Sequence, residues 1–394
     1  MPRRPVEDHR RAVAALLAEA AATEQVPVRD AHALVLADDV VSPVALPAFD
    51  NSAMDGFAVR AAEIVPGQPW PVAARIPAGT DPAPLAPGTV AAIMTGAPVP
   101  PGADAVIPVE ESRETRSSVV FTTTPRPGSY IRRQGSDVVA GAHLLDAGTR
   151  LAPHHLGALA AAGIASVTVH RRPRIAVLST GSELVAAGIP LGPGQIYESN
   201  STLLAALVRA NGGDVCSVGT VGDDGGFGAA LDAACADADL VLTTGGVSAG
   251  EHEPVRELLS GTDSAWFGPV AVQPGGPQGL ARWGGTPVIC LPGNPVSVLV
   301  SFEVFVRPAL RALLRAVPVY PFRGRVAAPV ASVPGKTQFL RGRRVGHSTV
   351  VDVVSGPSSH LIASAAAADV LVEVAAPITE LTPDREVPIW PLTT

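Results

Sequence analysis

A buried β-strand that ends in small polar residues and glycine is predicted at Ile175-Ala176-Val177-Leu178-Ser179-Thr180-Gly181-Ser182-Glu183. From this strand onward, short apolar runs alternate with segments of helical period. Strands are predicted at Ile175–Ser179, Val215–Val221, Leu240–Thr243, Val270–Val272 and Val288–Leu291, and helices at Ser201–Ala210, Phe227–Ala236, Pro254–Leu259 and Pro295–Leu314. Such alternation indicates a doubly wound α/β domain with a parallel sheet, whose ligands lie at the carboxyl ends of the strands.

Small polar residues and glycine follow three of these strands. The motifs are Leu178-Ser179-Thr180-Gly181-Ser182-Glu183, Leu242-Thr243-Thr244-Gly245-Gly246-Val247-Ser248 and Leu291-Pro292-Gly293-Asn294-Pro295. Glycine lets the backbone approach a ligand closely, and free N–H groups favour an anion. One such motif alone is most often a tight turn. Three at one sheet edge predict a phosphate-bearing ligand, although the spacing matches neither a dinucleotide fingerprint nor a Walker loop.

Acidic residues follow the same strands. Glu183 comes after the first strand, the pair Asp223-Asp224 after the second, and Glu251 and Glu253 after the third. Mg²⁺ is normally held by one or two carboxylates together with phosphate oxygens and water, so these loops suit it. The Asp223-Asp224 pair could equally cap the next helix, and the two roles are compatible.

A second concentration of polar side chains is the string Asp50-Asn51-Ser52-Ala53-Met54-Asp55-Gly56-Phe57-Ala58-Val59-Arg60. Two carboxylates, an amide and a hydroxyl precede Gly56, and only then does the apolar pattern resume. The tripeptide Asp-Asn-Ser alone is most often a turn whose side chains bond their own backbone. The string as a whole indicates chemistry held on a turn.

The rest of the chain predicts a helical domain with a β insertion and a C-terminal β domain. Residues 7–22, 29–38 and 152–163 have helical spacing, and Ala165–Val169 is a strand that could rejoin the first helices. From about Pro43 to Arg133, apolar and β-branched runs separated by Pro and Gly indicate a small β domain. After Phe322, strands are predicted at Arg323–Val330, Val350–Val354, Val370–Val374 and Val387–Trp390, in a small barrel or half-open sheet.

These patterns give four predicted domains. Residues 1–44 and 134–171 form a helical linker domain, 45–133 the β-rich insertion, 172–318 the α/β domain and 319–394 the C-terminal β-barrel-like domain.

Composition excludes several functional classes. The chain of 394 residues has a formal net charge of -7, with 47% hydrophobic and 16% charged residues, which argues against disorder and against a nucleic-acid partner. The charged start does not resemble a signal peptide, and the most apolar stretch, Val296–Val306, is too short to span a bilayer. Cys216, Cys235 and Cys290 are isolated and are predicted to be core residues. A soluble cytoplasmic protein without a membrane partner is expected.

Six motifs together resemble the MoeA family of molybdopterin molybdenumtransferases, which is related to the E domain of gephyrin. They are Asp50–Arg60, Ile93–Pro100, Arg132–Asp137, Ser179–Leu184, Thr244–Ser248 and Pro292–Pro295. The resemblance runs from the first helix to the last strand. It implies a homodimer of four-domain subunits with a MogA-like α/β domain, in which adenylylated molybdopterin and molybdate react with Mg²⁺ to give molybdenum cofactor and AMP.

The resemblance also implies roles for individual residues. The strand-end loops would hold the pterin phosphate and nucleotide, while the β insertion, from the partner subunit, would bring acids over the same cleft. The implied catalytic residues are Asp55, Thr95, Asp137, Glu183 and Glu253, the last standing where an Asp is often found. The implied metal ligands are Asp55, Glu183, Asp223 and Asp224. The implied pterin-binding residues are Thr180, Gly181, Ser182, Thr244, Gly245, Gly246, Val247, Ser248, Pro292, Gly293, Asn294, Pro295 and Ser359. Transient contact with a molybdopterin adenylyltransferase or with molybdoenzymes is a further expectation.

The chain departs from the family at one string. Members usually carry Lys-Pro-Gly-Lys-Pro, whereas this chain has Gln273-Pro274-Gly275-Gly276-Pro277, so both cationic side chains are absent. Lys336 is the only lysine, and two sources of compensation are predicted: Arg132, Arg133 and Arg256 beside the matched motifs, or backbone donors at helix N-termini and at the Pro292–Pro295 turn. The loss supports a second hypothesis, a scaffold that binds pterin or cofactor without turnover. A third hypothesis, an adenylyltransferase, is disfavoured by the complete β insertion and C-terminal domain.

Overall fold

The computed structural model describes residues 2–222, 225–248 and 253–393 and consists of two compact units. The large unit is formed by Met1–Glu24 and His170–Thr394, and the small unit by Gln25–Val169. Helix α1 (Val6–Ala18) belongs by its contacts to the large unit, where Val13 and Leu17 are buried in the same core as Phe305 and Leu310. This division differs from the predicted grouping of residues 1–44 with 134–171, and the four domain boundaries stay predictions.

The small unit contains a six-stranded sheet. Up to residue 170, the elements after α1 are β1 (Thr23–Pro27), β2 (Val40–Val41), β3 (Asn51–Ser52), β4 (Gly56–Val59), β5 (Pro69–Ile76), β6 (Val90–Ile93), β7 (Ala105–Pro108), β8 (Ser112–Glu114), β9 (Ser118–Phe121), β10 (Ile131–Arg132), β11 (His143–Leu145), α2 (Pro153–Ala161) and β12 (Ser166–His170). The sheet has the order β7-β4-β6-β5-β9-β8, with Phe57, Ile107 and Phe121 buried on it. The β-rich insertion is confirmed.

The predicted helix at 29–38 is wrong. The segment has one 3₁₀ turn, Val28–Asp30, and then extends, because its backbone groups are satisfied across the unit. Ala33 N–H donates to Leu151 O at 2.8 Å, and Leu36 pairs with Val169 in an isolated bridge. Ala33 also has a φ of +63°, which a helix cannot accommodate. Tertiary pairing therefore overrides helical spacing here. The Leu36–Val169 bridge confirms that the strand predicted at Ala165–Val169 returns to the N-terminal segment.

The large unit contains the predicted α/β sheet. Its elements up to the C-terminal β region are β13 (Arg174–Thr180), β14 (Leu184–Val185), β15 (Ile196–Tyr197), α3 (Asn200–Ala210), β16 (Asp214–Val221), α4 (Phe227–Cys235), β17 (Leu240–Thr244), α5 (Pro254–Leu259), β18 (Trp266–Pro269), β19 (Val272–Gln273), β20 (Pro277–Trp283), β21 (Thr286–Leu291), α6 (Pro295–Ser301) and α7 (Arg307–Leu313). The sheet order is β16-β13-β17-β21-β20-β18. The first four strands are parallel and the last two antiparallel, which confirms the α/β class.

Two strands of this sheet, β18 and β20, were not predicted. Both contain proline at one end and glycine inside, a pattern that lowers apparent strand propensity. The strand predicted at Val270–Val272 lies instead at Val272–Gln273 and pairs with the C-terminal region. Cys290 is buried in the centre of the sheet, and burial raises the pKa of its thiol to about 12, as expected for a core cysteine.

Helices α6 and α7 are joined by a π-helical segment, Phe302–Val306, so the predicted long helix from Pro295 to Leu314 is confirmed. Glu303 in that segment is buried and forms an ion pair with Arg307 one turn later. Its other oxygen accepts a hydrogen bond from Thr393 N–H at 3.0 Å. Within the described residues, we find no helix with the length and apolar character needed to cross a membrane.

The C-terminal region closes into a barrel. Its elements are β22 (Phe322–Val326), β23 (Val330–Ala331), β24 (Thr337–Arg344), β25 (Val350–Val353), α8 (Ile362–Ala365), β26 (Val370–Val374), β27 (Glu380–Leu381) and β28 (Val387–Pro391). The order β24-β25-β22-β28-β26 is closed by pairing of β26 with β24, and β19 adds to β24 in parallel. The barrel-like prediction is confirmed. Strand β24 was missed, because its buried positions include Gln338 and Arg341, which break the apolar pattern.

Candidate functional site

Three strand-end loops meet at a cavity of about 900 Å³ in the large unit. Gly245 follows β17 with a φ of +92°, and a Cβ there would lie 2.6 Å from Thr180 O at the end of β13. A Cβ on Gly293, after β21, would lie 3.5 Å from Gly245 Cα. The predicted convergence is therefore confirmed. The predicted site residues that line the cavity are Thr180, Gly181, Glu183, Gly245, Gly246, Val247, Ser248, Glu253, Pro292, Gly293, Asn294, Pro295 and Ser359.

Two predicted binding residues do not line the cavity. Thr244 is buried below it, where its Oγ1 donates to Pro292 O at 2.8 Å. Ser182 is exposed beside Glu183. Thr244 therefore holds two of the loops together from beneath.

Asn200 is a cavity residue that the sequence analysis missed. Its Nδ2 donates to Thr244 Oγ1 at 3.0 Å and to Gly293 O at 2.7 Å, while its Oδ1 is buried without a hydrogen-bond partner among the described residues. Glu198 fixes the start of this helix by accepting from Ser179 Oγ at 2.9 Å and from Ser201 N–H at 2.8 Å. The run Glu198 to Ser201 was a helix-start signal that could have drawn attention to Asn200. The open Oδ1 can accept a hydrogen bond from a ligand.

Two of the predicted acids, Glu183 and Glu253, lie at the cavity rim and make different contacts there. Glu183 is exposed, and its carboxylate folds over Gly181, where a Cβ would lie 2.6 Å from Glu183 Oε2. Glu253 closes the glycine loop instead, since its Oε2 accepts from Ser248 N–H at 2.9 Å. Asp223, Asp224, Glu251 and His252 lie outside the described residues.

The substituted string Gln273–Pro277 forms part of the same cavity wall. Gln278, also missed, supports it from below: its Nε2 donates to Gly275 O at 2.8 Å and to Ser301 Oγ at 2.7 Å. Gln273 Oε1 accepts from Gln338 Nε2 of β24 at 2.9 Å. The uncharged loop is thus held in place by two buried glutamines.

Lys336 supplies a cation to this wall. It lines the cavity, because β19 and β24 pair in the register Val272–Thr337 and so place the residue before Thr337 beside the substituted string. Two of the three arginines predicted from sequence to compensate form other contacts. Arg133 pairs with Asp50 at 2.6 Å in the small unit, and Arg256 Nη1 donates to Ser248 O at 2.9 Å without lining the cavity. Sequence reasoning could have singled out Lys336 as a candidate site residue, because it is the only lysine of the chain.

The small unit brings together Asp55 and Thr95. Asp55 Oδ1 accepts from Thr95 N–H at 2.6 Å and from Thr95 Oγ1 at 2.9 Å. These two bonds, the backbone bond first, lower the pKa of Asp55 from its ordinary value of 3.8, so the exposed carboxylate is ionised at neutral pH. The following Gly56 is required, because a Cβ there would overlap Ile107 O.

The string around Asp55 is fixed by its neighbours. Asp50 accepts from Gln134 N–H at 2.8 Å, and this bond and the Arg133 guanidinium hold the pKa of Asp50 below its usual range. Ser52 N–H donates to Ala97 O at 3.0 Å. Asp137 is exposed, and its N–H donates to Leu46 O at 3.0 Å. The Ser52–Ala97 bond joins the segment that carries Asp55 to the segment that carries Thr95. We call the polar surface that Asp55 and Thr95 form together the Asp55 cluster.

Known protein families and relatives match this chain over nearly its whole length. Family models match residues 4–163 (MoeA N-terminal region, domain I and II), 176–312 (probable molybdopterin binding domain) and 323–392 (MoeA C-terminal region, domain IV). The chain is 45% identical over 405 aligned residues to Molybdopterin molybdenumtransferase 2 of Mycobacterium tuberculosis, covering 99% of this chain and 100% of the relative. The chain belongs to the MoeA family.

A second relative and a solved structure support the same family assignment. The Nostoc molybdopterin molybdenumtransferase is 41% identical over 302 residues, 74% of this chain and 69% of the relative. A crystal structure of the molybdopterin biosynthesis MoeA protein from Pyrococcus horikosii superposes with a TM-score of 0.83 at 29% identity, covering 100% of both chains. In this MoeA-family chain, the match over 176–312 spans the three strand-end loops, and the match over 323–392 spans Lys336 and Ser359.

The contact between Gly245 and Thr180 predicts the effect of adding one methyl group. Gly245→Ala and Gly188→Ala both place alanine at a positive φ, +92° and +91°, which costs about 1–2 kcal/mol. Only at Gly245 does the new Cβ also meet backbone, whereas nothing lies within 4 Å at Gly188. We expect Gly245→Ala to lose a further ~1–3 kcal/mol of stability. Thermal unfolding of both variants measures the difference, and equal losses would contradict a tight strand-end contact.

Proposed function

We propose that this protein is a molybdopterin molybdenumtransferase that inserts molybdenum from molybdate into adenylylated molybdopterin and releases AMP. One observation carries the proposal. The glycine loops at the carboxyl ends of three parallel strands and a lysine and a serine from the C-terminal barrel line one cavity of about 900 Å³. The names of the relatives and the family match over the cavity support the same reaction.

The cavity offers different chemistry on its two sides. On the sheet side, Gly245–Ser248 and Pro292–Pro295 provide a close backbone surface for a phosphate-bearing pterin, and Asn200 Oδ1 can accept from a pterin N–H. On the barrel side, Lys336 and Ser359 offer a cation and a hydroxyl, which suit the tetrahedral dianion molybdate. We propose that the two sides place the two substrates next to each other.

The acids at the rim fit a magnesium requirement. Glu183 presents an exposed hard-oxygen donor beside the glycine loops, and Mg²⁺ needs only one or two carboxylates when substrate phosphates and water complete its shell. We propose Glu183 as a ligand together with Asp223, Asp224 and Asp55, as the family resemblance implies. Bound Mg²⁺ would supply positive charge to the phosphate oxygens of the substrate. Glu253 and Asp137 are proposed as further catalytic residues, as the family resemblance implies.

A scaffold remains the second candidate function, and the substituted string favours it. Gln273 and Gly276 provide no charge where the family usually has lysines, so binding without turnover would follow if Lys336 did not compensate. The decisive experiment is AMP release from adenylylated molybdopterin in the presence of molybdate and Mg²⁺. Molybdate-dependent AMP release supports the transferase. Pterin binding without AMP release supports the scaffold.

Asp55→Asn is expected to abolish molybdenum transfer while leaving pterin binding nearly intact. The substitution keeps the size of the side chain and removes the charge that a metal or molybdate step requires. The assay compares AMP release with pterin affinity, and Asp81→Asn, another exposed aspartate of the small unit, is the control that should retain activity. Wild-type turnover in Asp55→Asn would show that the Asp55 cluster is a structural turn.

Lys336→Ala is expected to raise the half-saturating molybdate concentration by about 10- to 100-fold, because a charge-assisted hydrogen bond is worth about 1.5–3 kcal/mol. Lys336→Arg should retain most of the affinity. Gln273→Lys with Gly276→Lys should lower the half-saturating concentration. A side chain fits at Gly276, where a Cβ would meet nothing closer than 3.7 Å. An unchanged molybdate dependence in Lys336→Ala would place the cation role elsewhere.

We also propose a cytoplasmic homodimer in which the Asp55 cluster of one subunit serves the cavity of the other. Mixing Asp55→Asn with Lys336→Ala tests this directly, provided that the molybdate concentration is far below the half-saturating value of Lys336→Ala, so that neither variant alone shows measurable activity. A random mixture would contain one intact shared site in each mixed dimer, so about a quarter of the wild-type activity should return. A monomer at micromolar concentration, or no recovery after mixing, would contradict the shared site.

A further inference from the structure

His9 of helix α1 is a buried histidine on an otherwise apolar helix face. The same face buries Val13 and Leu17 in the core of the large unit, and His9 has 0% of its surface exposed. Its ring packs edge-on against Phe305, with the ring centroids 4.7 Å apart, and lies 5.3 Å from the ring of Trp266. A hydrophobic side chain would fill this space at lower cost, because burial removes the ring nitrogens of His9 from water.

His9 is neutral at physiological pH. Burial, followed by the charge of Arg4, lowers the pKa of His9 from 6.5 to about 3. The Arg4 guanidinium lies over the Trp266 ring, with Cζ 3.4 Å from the ring centroid. A neutral imidazole has one N–H donor and one acceptor nitrogen. Neither nitrogen of His9 makes a full hydrogen bond to the residues that the structure describes, so a buried donor is left open.

Gln278 offers an acceptor for this donor. Its Nε2 donates to Gly275 O at 2.8 Å and to Ser301 Oγ at 2.7 Å, and the carbonyl fixes the orientation of the amide because it can only accept. The opposite atom, Oε1, is buried and has no partner within the described ranges. Burial and Arg4 lower the pKa of His9, whereas Gln278 raises it, as an amide oxygen that faces a ring N–H does. The open donor and the open acceptor therefore face each other.

The N-terminal segment contacts both ends of the substituted string Gln273–Pro277. Before the string, Ala271 N–H donates to Arg4 O at 2.8 Å. After the string, His9 faces Gln278. The string itself lines the cavity, whereas Arg4 and His9 do not. The first residues of the chain are thus connected to the wall of the candidate site from outside it.

We propose that His9 is a positioning residue for this wall. Its ring N–H donates to Gln278 Oε1 and holds the amide in the orientation in which Nε2 binds Gly275 O. An apolar residue at position 9 would leave Oε1 without a donor and the amide free to turn. Because the string lies beside Lys336, the fixed amide keeps the uncharged wall in the position that molybdate binding requires. This inference rests on the proposed function and extends it to helix α1.

His9→Phe is the direct test, because it keeps an aromatic ring in the core and removes both nitrogens. The half-saturating molybdate concentration in AMP release should rise about three- to tenfold, the effect of one lost buried hydrogen bond. The kcat at saturating molybdate should stay close to that of wild type. His9→Gln, which keeps an N–H donor, should retain most of the affinity.

Leu17→Ala is the matched control on the same helix. It removes a buried side chain from the same core, so it should lower the unfolding temperature without changing the molybdate dependence. A lower unfolding temperature with an unchanged molybdate dependence in His9→Phe would show a purely structural role and overturn the proposal.

A double-mutant cycle with Gln278→Met tests whether His9 acts through Gln278. If it does, His9→Phe should raise the half-saturating concentration no further in a chain that already carries Gln278→Met. Two independent effects that multiply would overturn the proposal. If His9→Phe does not fold, Gln278→Met decides alone, since an unchanged molybdate dependence in that variant is incompatible with the proposed role.

Amide hydrogen exchange of the string separates this proposal from the proposed function, because the measurement needs no substrate. The peptide that covers Gln273–Pro277 should exchange faster in His9→Phe than in wild type or Leu17→Ala under native conditions. Unchanged exchange overturns the role of His9 even if wild type releases AMP. Faster exchange in a protein that releases no AMP supports the role of His9 in holding the string and overturns the transferase.

Discussion

The close approach of three chain segments at the carboxyl edge of the parallel sheet is the constraint on which the rest of the site depends. A Cβ on Gly245 would lie 2.6 Å from Thr180 O, and Gly293 packs directly against Gly245. Glycine, which has no Cβ, allows these strand-end loops to approach so closely. Asn200 and Thr244 then link these loops from beneath, so that their backbones face one cavity.

The charge balance of the cavity depends on the C-terminal barrel. The sheet side carries the acid Glu183, while the loop at Gln273 and Gly276 carries no charge. Lys336 restores one cation because β19 joins the barrel strand β24 in parallel. The barrel is thus a part of the candidate site, because Lys336, one residue before β24, brings a cation beside a loop that is distant in sequence.

Much of the large unit could be predicted because its signals are local. The strands Arg174–Thr180, Leu240–Thr244 and Thr286–Leu291 are short, apolar and followed by glycine, and their predicted positions were nearly correct. The helix predicted at 29–38 was wrong because its spacing competed with backbone pairing to residues more than a hundred positions away. Strand β24 was missed because buried Gln338 and Arg341 are satisfied by partners that no local pattern reveals.

The sequence by itself determined the family, the α/β class and the loops that form the sheet edge, because glycine positions and short-range periodicity express local backbone requirements. It also predicted functional roles for Asp55 and Thr95, which the structure joins by two hydrogen bonds. Only the tertiary structure decided which cation faces the substituted string. Arg133 and Arg256 were nearer to the matched motifs along the chain, but their guanidinium groups are used by Asp50 and Ser248. Lys336 reaches the cavity through strand pairing, a long-range interaction that residue spacing does not encode.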